Sequence, residues 1–190
     1  MDRHPPCRCH RTRSLGFSLI ELVAVLAVLG VLAGVSMPWV LAMGGSMRVS
    51  GTSNELLADL LLARSEAVKR NARVVVCKSR DGDGCTTTGT WQQGWIVFVD
   101  TDANGIRSAG ETLLQRQGHA GQAMRVSGNA SLASYVGYIA NGSTRLTGGG
   151  FQAGTFTVCR TSAEPTTARQ IVINANGRAR VQKAQVDSCP

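Results

Sequence analysis

The stretch from Leu22 to Met47 contains no charged residue, and it constrains this chain more than any other part of the sequence. A hydrocarbon core about 30 Å thick is crossed by roughly 20 apolar residues in a helix, so the stretch predicts a transmembrane helix. Residues 1–16, further toward the N-terminus, carry one acid, Asp2, and four arginines at positions 3, 8, 11 and 13. Because an excess of Lys and Arg holds a segment in the cytoplasm, we expect the bulk of the chain to lie across the membrane.

Glu21 places a carboxylate at the start of this apolar stretch. A charge is costly in lipid, which makes Glu21 a candidate functional residue. A secretory signal peptide has a short apolar region followed by a cleavage site of small residues. Here the apolar stretch is too long, and only residues 33–36 resemble such a site. An ordinary membrane anchor gives no reason for Glu21.

Residues 16–22, GFSLIEL, follow a basic leader and resemble the signal of type IV pilins and pseudopilins. The resemblance implies that a prepilin peptidase cuts after Gly16 and that the new amino terminus on Phe17 is methylated. It also implies a filament in which the Glu21 carboxylate faces the Phe17 ammonium of a neighbouring subunit, since a buried charge is tolerated mainly when it is paired. Pro38 lacks an amide hydrogen and is expected to kink or locally melt the helix.

These features divide the chain into three segments. Residues 1–16 are predicted to be a cleaved leader, residues 17–47 a transmembrane and filament-core helix, and residues 48–190 a periplasmic globular domain that includes the amphipathic half of the helix. The formal net charge is +8, and removal of the leader leaves about +5. That excess permits an anionic partner without requiring one.

Six cysteines occur in the chain, and Cys7 and Cys9 fall in the predicted leader. The remaining four, in an exported domain, predict two disulfides. Of the three possible pairings we favour Cys77–Cys85 with Cys159–Cys189, because each bond links nearby or terminal segments. A zinc site is the alternative, but the spacing contains no C-x-x-C pair.

Helical patterning extends from Phe17 to about Asn71, with looser segments expected at residues 44–46 and 50–53. In its second half, apolar residues recur at three- and four-residue spacing: Leu57, Leu60, Leu61, Ala67 and Val68. Beyond the helix, strands are predicted at 73–78, 94–100, 111–116, 125–126, 135–139, 156–159, 170–174 and 178–182. One long helix followed by antiparallel strands is an α+β architecture.

Three blocks narrow the resemblance. They are ARSEAVKRNARVVVC at residues 63–77, GWIVFVDTDANG at 94–105, and INANGRARV at 173–181, and together they resemble the GspH/FimT family of minor pilins and pseudopilins. The resemblance implies a type IV pilin-like fold in which a long N-terminal helix, with a transmembrane first half, packs on an antiparallel sheet. It leaves two branches open: a minor pilin of the FimT type, associated with DNA uptake in natural transformation, and a pseudopilin of type II secretion.

A basic hairpin near the C-terminus is the candidate DNA site. Asn176-Gly177 is a hairpin-turn signal, and Arg178 and Arg180 alternate by two, which places both on one face of a strand. The Gly-Arg-x-Arg pattern resembles the DNA-binding motif of FimT-type pilins; Lys183 is added on electrostatic grounds, and Arg160 and Arg169 are expected nearby. The alternative is that the arginines form only the solvated face of a hairpin.

Residues Asp100, Asp102, Asn104 and Glu111 have the spacing of an EF-hand calcium loop. A strand precedes this loop where an EF-hand has a helix, and Arg107 occupies a position that is normally apolar. We therefore interpret the segment as a turn between strands and predict no metal and no cofactor. The alternative is that the loop binds calcium through these residues, as in a calcium-dependent binding module.

The sequence gives no support for an enzyme. Outside the leader the only histidine is His119, and no Ser-His-Asp or Cys-His set can be assembled around it. Trp91 and Trp95 are interpreted as packing residues rather than base-stacking ones. The favoured prediction is a minor type IV pilin that binds double-stranded DNA without sequence preference, located in the inner membrane and in a pilus with other pilins. The alternative is a structural pseudopilin or assembly initiator.

Overall fold

The computed structural model describes residues 18–189, and for residues 35–44 it describes the backbone but not the side chains. The predicted cleavage and methylation positions, Gly16 and Phe17, therefore lie outside the described residues. Internal contacts divide the chain into two compact units, residues 1–43 and residues 44–190.

One helix, α1, runs from Leu19 to Arg70 and contributes to both units. In the first unit its described side chains are exposed, and Glu21 lies in its first turn. The backbone stays helical at Pro38, so the local melting predicted there is not found. Among the described residues, no helix is both long and apolar enough to span a membrane.

The part of α1 that belongs to the second unit is continuous, and the loosening predicted at residues 44–46 and 50–53 is wrong. Val49, Thr52 and Ser53 are buried against the rest of the unit. Ser50 Oγ accepts a hydrogen bond of 3.3 Å from Arg169 Nη2. These tertiary contacts outweigh the weak helix propensity of the glycines and serines.

The buried stripe of α1 differs in part from the predicted one. Four residues spaced four, three and four apart are fully buried: Leu56, Leu60, Ala63 and Ala67. The prediction is confirmed at Leu60 and Ala67, but Leu61 and Val68 are 47% and 53% exposed. A helix advances about 100° per residue, so positions 61 and 68 turn away from the face that carries positions 60 and 67.

Eight strands follow the helix, each at a predicted place with bounds shifted by a few residues. They are β1 (Val74–Lys78), β2 (Trp95–Val99), β3 (Leu113–Gln117), β4 (Met124–Gly128), β5 (Tyr135–Tyr138), β6 (Gly154–Arg160), β7 (Thr166–Ile173) and β8 (Ala179–Val186). All the strand pairings are antiparallel. The strands form two sheets, in the orders β3-β2-β1-β5 and β4-β6-β7-β8.

A single core lies between the helix and both sheets. It joins the helix stripe to Val74 and Val97 of the first sheet and to Val158 and Ile171 of the second. Every residue of β1 and β2 is buried, and the other face of the first sheet carries a second apolar cluster that includes Phe98. The long helix packed on antiparallel sheets is the type IV pilin-like α+β fold that the sequence predicts.

Both favoured disulfides are present. Cys77 is bonded to Cys85, with a Cα–Cα distance of 5.6 Å, and Cys159 to Cys189, with 6.1 Å. The second bond fixes the end of the chain to β6, beside an antiparallel bridge between Ser162 and Cys189. The C-terminal tail is therefore held to the second sheet by both a covalent bond and backbone hydrogen bonds.

Candidate nucleic-acid interface

The C-terminal hairpin is built from β7 and β8, which pair over eight residues from Thr166↔Val186 to Ile173↔Ala179. The turn between them is closed by Asn174, whose carbonyl oxygen accepts from the Gly177 amide at 2.8 Å. The Asn174 side-chain oxygen accepts from the Arg178 amide at 3.0 Å. Asn and Gly suit such turns because Asn hydrogen-bonds the nearby backbone and Gly adopts a positive φ.

Gly177 fixes this turn against a neighbouring one. Its φ is +73°, a conformation that favours glycine, and any Cβ at this position would meet the carbonyl oxygen of Gly142. That same carbonyl oxygen accepts a hydrogen bond of 3.1 Å from Arg64 Nε on α1. The tip of the hairpin is thus supported from the helix, through the turn that follows β5.

Arg178 and Arg180 lie together at the base of this turn. They are exposed, and they line one surface cleft of about 510 Å³ with Val172, Asn174 and Ala179. Arg180 is opposite Val172 in the strand register. Within residues 18–189, neither guanidinium forms a salt bridge to an acidic group. The cleft therefore presents two adjacent positive charges to solvent.

Lys183 lies on the opposite face of β8, so its predicted placement beside the two arginines is wrong. It is paired in register with Arg169, whose guanidinium reaches Ser50 on α1. Successive side chains of a strand point to alternate faces, so Arg180 and Lys183, three residues apart, cannot share one. Strand alternation in the sequence already contained this signal.

Arg160 and Arg169 also lie away from the cleft, contrary to prediction. Arg160 is two residues beyond the buried Val158 on the helix-facing side of β6. Its Nη1 atom is 3.1 Å from where a Cβ would stand at Gly45 of α1. The Cys159–Cys189 bond forms, but it does not bring these two arginines to the hairpin tip.

The geometry of the cleft suits a phosphodiester backbone. A guanidinium offers a planar fork of donors that matches two phosphate oxygens, and it stays charged at any physiological pH. Exposed arginines at two alternating positions can contact successive phosphates, and such contacts carry no sequence information. Val172 and Asn174 also line the cleft, which the sequence alone does not indicate because their proximity to the arginines depends on the register of β7 and β8.

The loop with EF-hand spacing begins where β2 ends. Asp100 is 1% exposed and forms an ion pair of 2.9 Å through Oδ2 with Arg73 Nε. Burial raises the pKa of the Asp100 carboxyl, although the Gly105 amide and the Arg73 charge oppose that shift. Asp100, Asp102 and Glu111 each bring one oxygen atom within 4.8 Å of the others. The Asn104 side-chain oxygen accepts a hydrogen bond from the Ile106 amide at 2.6 Å.

The remaining polar and aromatic candidates have structural contacts. His119, the only histidine among residues 18–189, accepts a hydrogen bond from the Gly121 amide at 2.8 Å through Nδ1. Trp91 and Trp95 are buried, as interpreted from sequence, and their indole N–H groups donate to Leu132 O and Asp59 Oδ2. In the described part of the chain no side chains assemble into a nucleophile–base pair around His119.

Comparisons with known proteins agree with this architecture. The family described as type II transport protein GspH matches residues 52–177, and the prokaryotic N-terminal methylation motif matches residues 11–37. The pilin-like protein PilA1 of Thermus thermophilus is 33% identical over 96 residues. That alignment covers 50% of this chain and 54% of PilA1, so the chain spans about half the length of this curated relative.

Two solved structures share the fold. The type IV minor pilin FimU of Pseudomonas aeruginosa has a TM-score of 0.52 at 19% identity, over 80% of this chain and 100% of FimU. The minor pseudopilin EpsH of the Vibrio cholerae type 2 secretion system has a TM-score of 0.50 at 13% identity, over 71% of this chain and 96% of EpsH. This chain belongs to the GspH/FimT family of minor pilins and pseudopilins, because it has the methylation motif, matches the family over most of its length and shares the fold.

Proposed function

We propose that this protein is a minor type IV pilin that binds double-stranded DNA through its C-terminal hairpin, for uptake in natural transformation. The observation that carries the proposal is the cleft in which Arg178 and Arg180 lie side by side, exposed and without an acidic partner among the described residues. DNA attracts such a surface because phosphate contacts release counterions from the duplex.

The turn contributes rigidity to this surface. Gly177 is buried, and its backbone is held against Gly142, which in turn accepts a hydrogen bond from Arg64 of α1. A side chain that is already positioned loses less conformational freedom on binding, so a fixed turn supports affinity for a repeating phosphate backbone. Glycine and the two arginines of the Gly-Arg-x-Arg pattern therefore have separate physical roles.

The same proposal includes a route to the filament. A prepilin peptidase would cut after Gly16, the amino group of Phe17 would be methylated, and the apolar helix would anchor the chain once in the inner membrane. The globular unit would then lie in the periplasm. In the filament, Glu21 would pair with the Phe17 ammonium of a neighbouring pilin, because a carboxylate in an apolar environment needs an opposite charge.

A pseudopilin of a type II secretion system is the second candidate. It is favoured by the matched family, whose description is a type II transport protein. In this case the protein contacts other pseudopilins, and the two arginines are a solvated face of the edge strand β8. Charged residues on an edge strand also protect it from pairing with other chains.

DNA titration distinguishes the two candidates. The full chain in a nonionic detergent is titrated with short labelled duplexes of two unrelated sequences, at two salt concentrations. We expect equal, salt-sensitive affinities for both duplexes. In the double variant R178A/R180A we expect weaker binding and a log–log salt slope reduced by up to about 2.

The matched control is the double variant R116A/K183A. It removes the same amount of charge from two exposed side chains, one on β3 and one on the opposite face of β8. The proposed site requires this variant to bind nearly as well as the unmodified protein. Equal losses in both double variants, or unchanged affinity in R178A/R180A, would contradict the site, and no binding at low salt would favour the secretion role.

A further inference from the structure

We propose that the loop between β2 and β3 binds a calcium ion through the carboxylates of Asp100, Asp102 and Glu111. One oxygen from each of these three residues lies within 4.8 Å of the other two. Calcium binds oxygen ligands at 2.3–2.6 Å, so two oxygens on the same ion are separated by at most about 5 Å. The three carboxylates already satisfy this limit.

Asp100 provides an independent indication of a ligand. Its side chain is fully buried, yet Oδ1 has no hydrogen-bond partner within the described residues. The other oxygen, Oδ2, accepts from the Gly105 amide at 3.1 Å and pairs with Arg73 Nε at 2.9 Å. Buried polar atoms in proteins are normally paired, so an unpaired carboxylate oxygen beside two further carboxylates is suited to bind a cation.

The charge balance of the loop requires about two positive charges. Asp100, Asp102 and Glu111 together carry three negative charges when ionised, and Arg73 pairs with one of them. The other nearby cation, Arg107, donates instead to the side chain of Asp83 and to the backbone carbonyl oxygen of Glu111. A divalent cation would therefore neutralise the remaining charge.

The other two carboxylates are held in place by donors that leave room for an ion. Glu111 accepts from the Thr101 amide at 2.7 Å through Oε1 and from the Ser108 amide at 2.9 Å through Oε2. Asp102 accepts from the Asn104 amide at 3.1 Å through Oδ1, and from Asn104 Nδ2 at 2.7 Å and Ser108 Oγ at 3.1 Å through Oδ2. A carboxylate has about four lone-pair sites, so each retains the capacity to bind a cation.

The sequence gives two arguments against a calcium loop: a strand precedes it, and Arg107 occupies a normally apolar position. In the structure, neither feature prevents the three carboxylates from converging. A strand replaces the usual entering helix, but Asp100 directly follows β2, and its backbone N–H donates a hydrogen bond of 2.9 Å to the Arg73 carbonyl oxygen. The Arg107 amide contacts Cys85 Sγ of the Cys77–Cys85 disulfide at 3.4 Å. Arg107, at the normally apolar position, donates through its guanidinium to Asp83 and to the backbone carbonyl oxygen of Glu111, and within the described residues it forms no salt bridge to the three carboxylates.

Calcium titration tests this site. The full chain in nonionic detergent is freed of metal with a chelator and titrated with CaCl₂ by calorimetry, and its Tm is followed in parallel. We expect one ion per chain, a Kd within the 10⁻⁴–10⁻³ M typical of extracellular modules, and a Tm that rises with calcium concentration. MgCl₂ is expected to bind at least tenfold more weakly, because magnesium retains its water ligands.

Two variants locate the ion. D102N and E111Q each replace one of the three carboxylates with a neutral amide of similar shape. Each variant is expected to weaken calcium binding by at least tenfold. D187N, an exposed carboxylate outside the loop, serves as the control and should leave binding unchanged. The proposal is overturned if the folded protein gives neither heat nor a Tm shift up to about 10 mM calcium, or if D102N and E111Q bind like the unmodified chain. DNA binding does not enter this measurement, so its outcome is separate from the proposed function.

Discussion

The carbonyl oxygen of Gly142 occupies the space that a side chain at Gly177 would need. Gly177 also has a φ of +73°, so two separate constraints require glycine at the tip of the C-terminal hairpin. The contact joins the β7–β8 turn to the turn after β5, and Arg64 extends it to α1. The position of Arg178 and Arg180 therefore depends on a residue that has no charge.

The variant G177A is expected to destabilise the protein by about 2–3 kcal/mol, because a positive φ is strained for alanine and a backbone atom blocks its Cβ. The measurement is urea unfolding. G149A is the control, since Gly149 has a φ of +84° but nothing within 4 Å of its Cβ position. It isolates the cost of the φ angle alone, expected to be about 1 kcal/mol. Equal losses in the two variants would show that the Gly142 contact is unimportant.

The buried carboxyl of Asp59 is expected to give the folding stability an unusual pH dependence. Burial raises the pKa of its carboxyl above the ordinary 3.8, and Trp95 Nε1 donates to it at 2.7 Å. A carboxyl with a raised folded-state pKa binds more protons in the folded than in the unfolded protein. Its effect on folding is therefore most favourable below pH 3.8 and is lost as the pH rises through the folded-state pKa.

The variant D59N keeps an oxygen acceptor for Trp95 and never ionises. We expect it to be more stable than the unmodified protein at pH 7, with a difference that shrinks as the pH falls toward 4. Urea unfolding at several pH values measures this, with D187N as an exposed-carboxylate control. A difference between D59N and the unmodified protein that stays constant with pH would contradict the assignment to Asp59 ionisation.

Glu21 is expected to act in assembly rather than in folding. Both E21A and E21Q should insert into the membrane at normal levels and fail to enter filaments, because each removes the charge that would pair with a neighbouring amino terminus. Membrane fractionation and immunoblotting of sheared filaments measure the two steps separately. Normal incorporation of E21Q would show that hydrogen bonding, and not charge, is the property of Glu21 that matters.

The strands could be predicted because their signals are local. Residues 74–76 and 95–99 are β-branched or aromatic runs, and such runs become strands that are buried on both faces. The disulfide pairing followed from the same proximity in sequence for Cys77 and Cys85, and from the terminal position of Cys189. The pair Arg178 and Arg180 needed only strand alternation.

The parts that could not be predicted depend on contacts between distant segments. Gly and Ser at positions 44–46 and 50–53 do not interrupt α1, because Ser50 and its neighbours pack against β6 and β7. Leu61 and Val68 are apolar, as core residues are, but they face solvent because the buried face of α1 is the one that carries Leu56. The unpaired oxygen of Asp100 could not be predicted either, because it depends on where Arg73 lies and not on the spacing of the acidic residues in the sequence.

β8 is the last strand of its sheet, and both of its ends are fastened. The tip is held by Gly177 against Gly142, and the tail by the disulfide between Cys189 and Cys159. A pulling force on an edge strand usually peels it from a free end, one hydrogen bond at a time. Here the C-terminal end is closed by a disulfide, so β8 cannot be peeled from β7 starting at that end unless the covalent bond breaks. Tension applied at Arg178 and Arg180 is therefore carried along β8 to a covalent link with β6 and not to a loose tail.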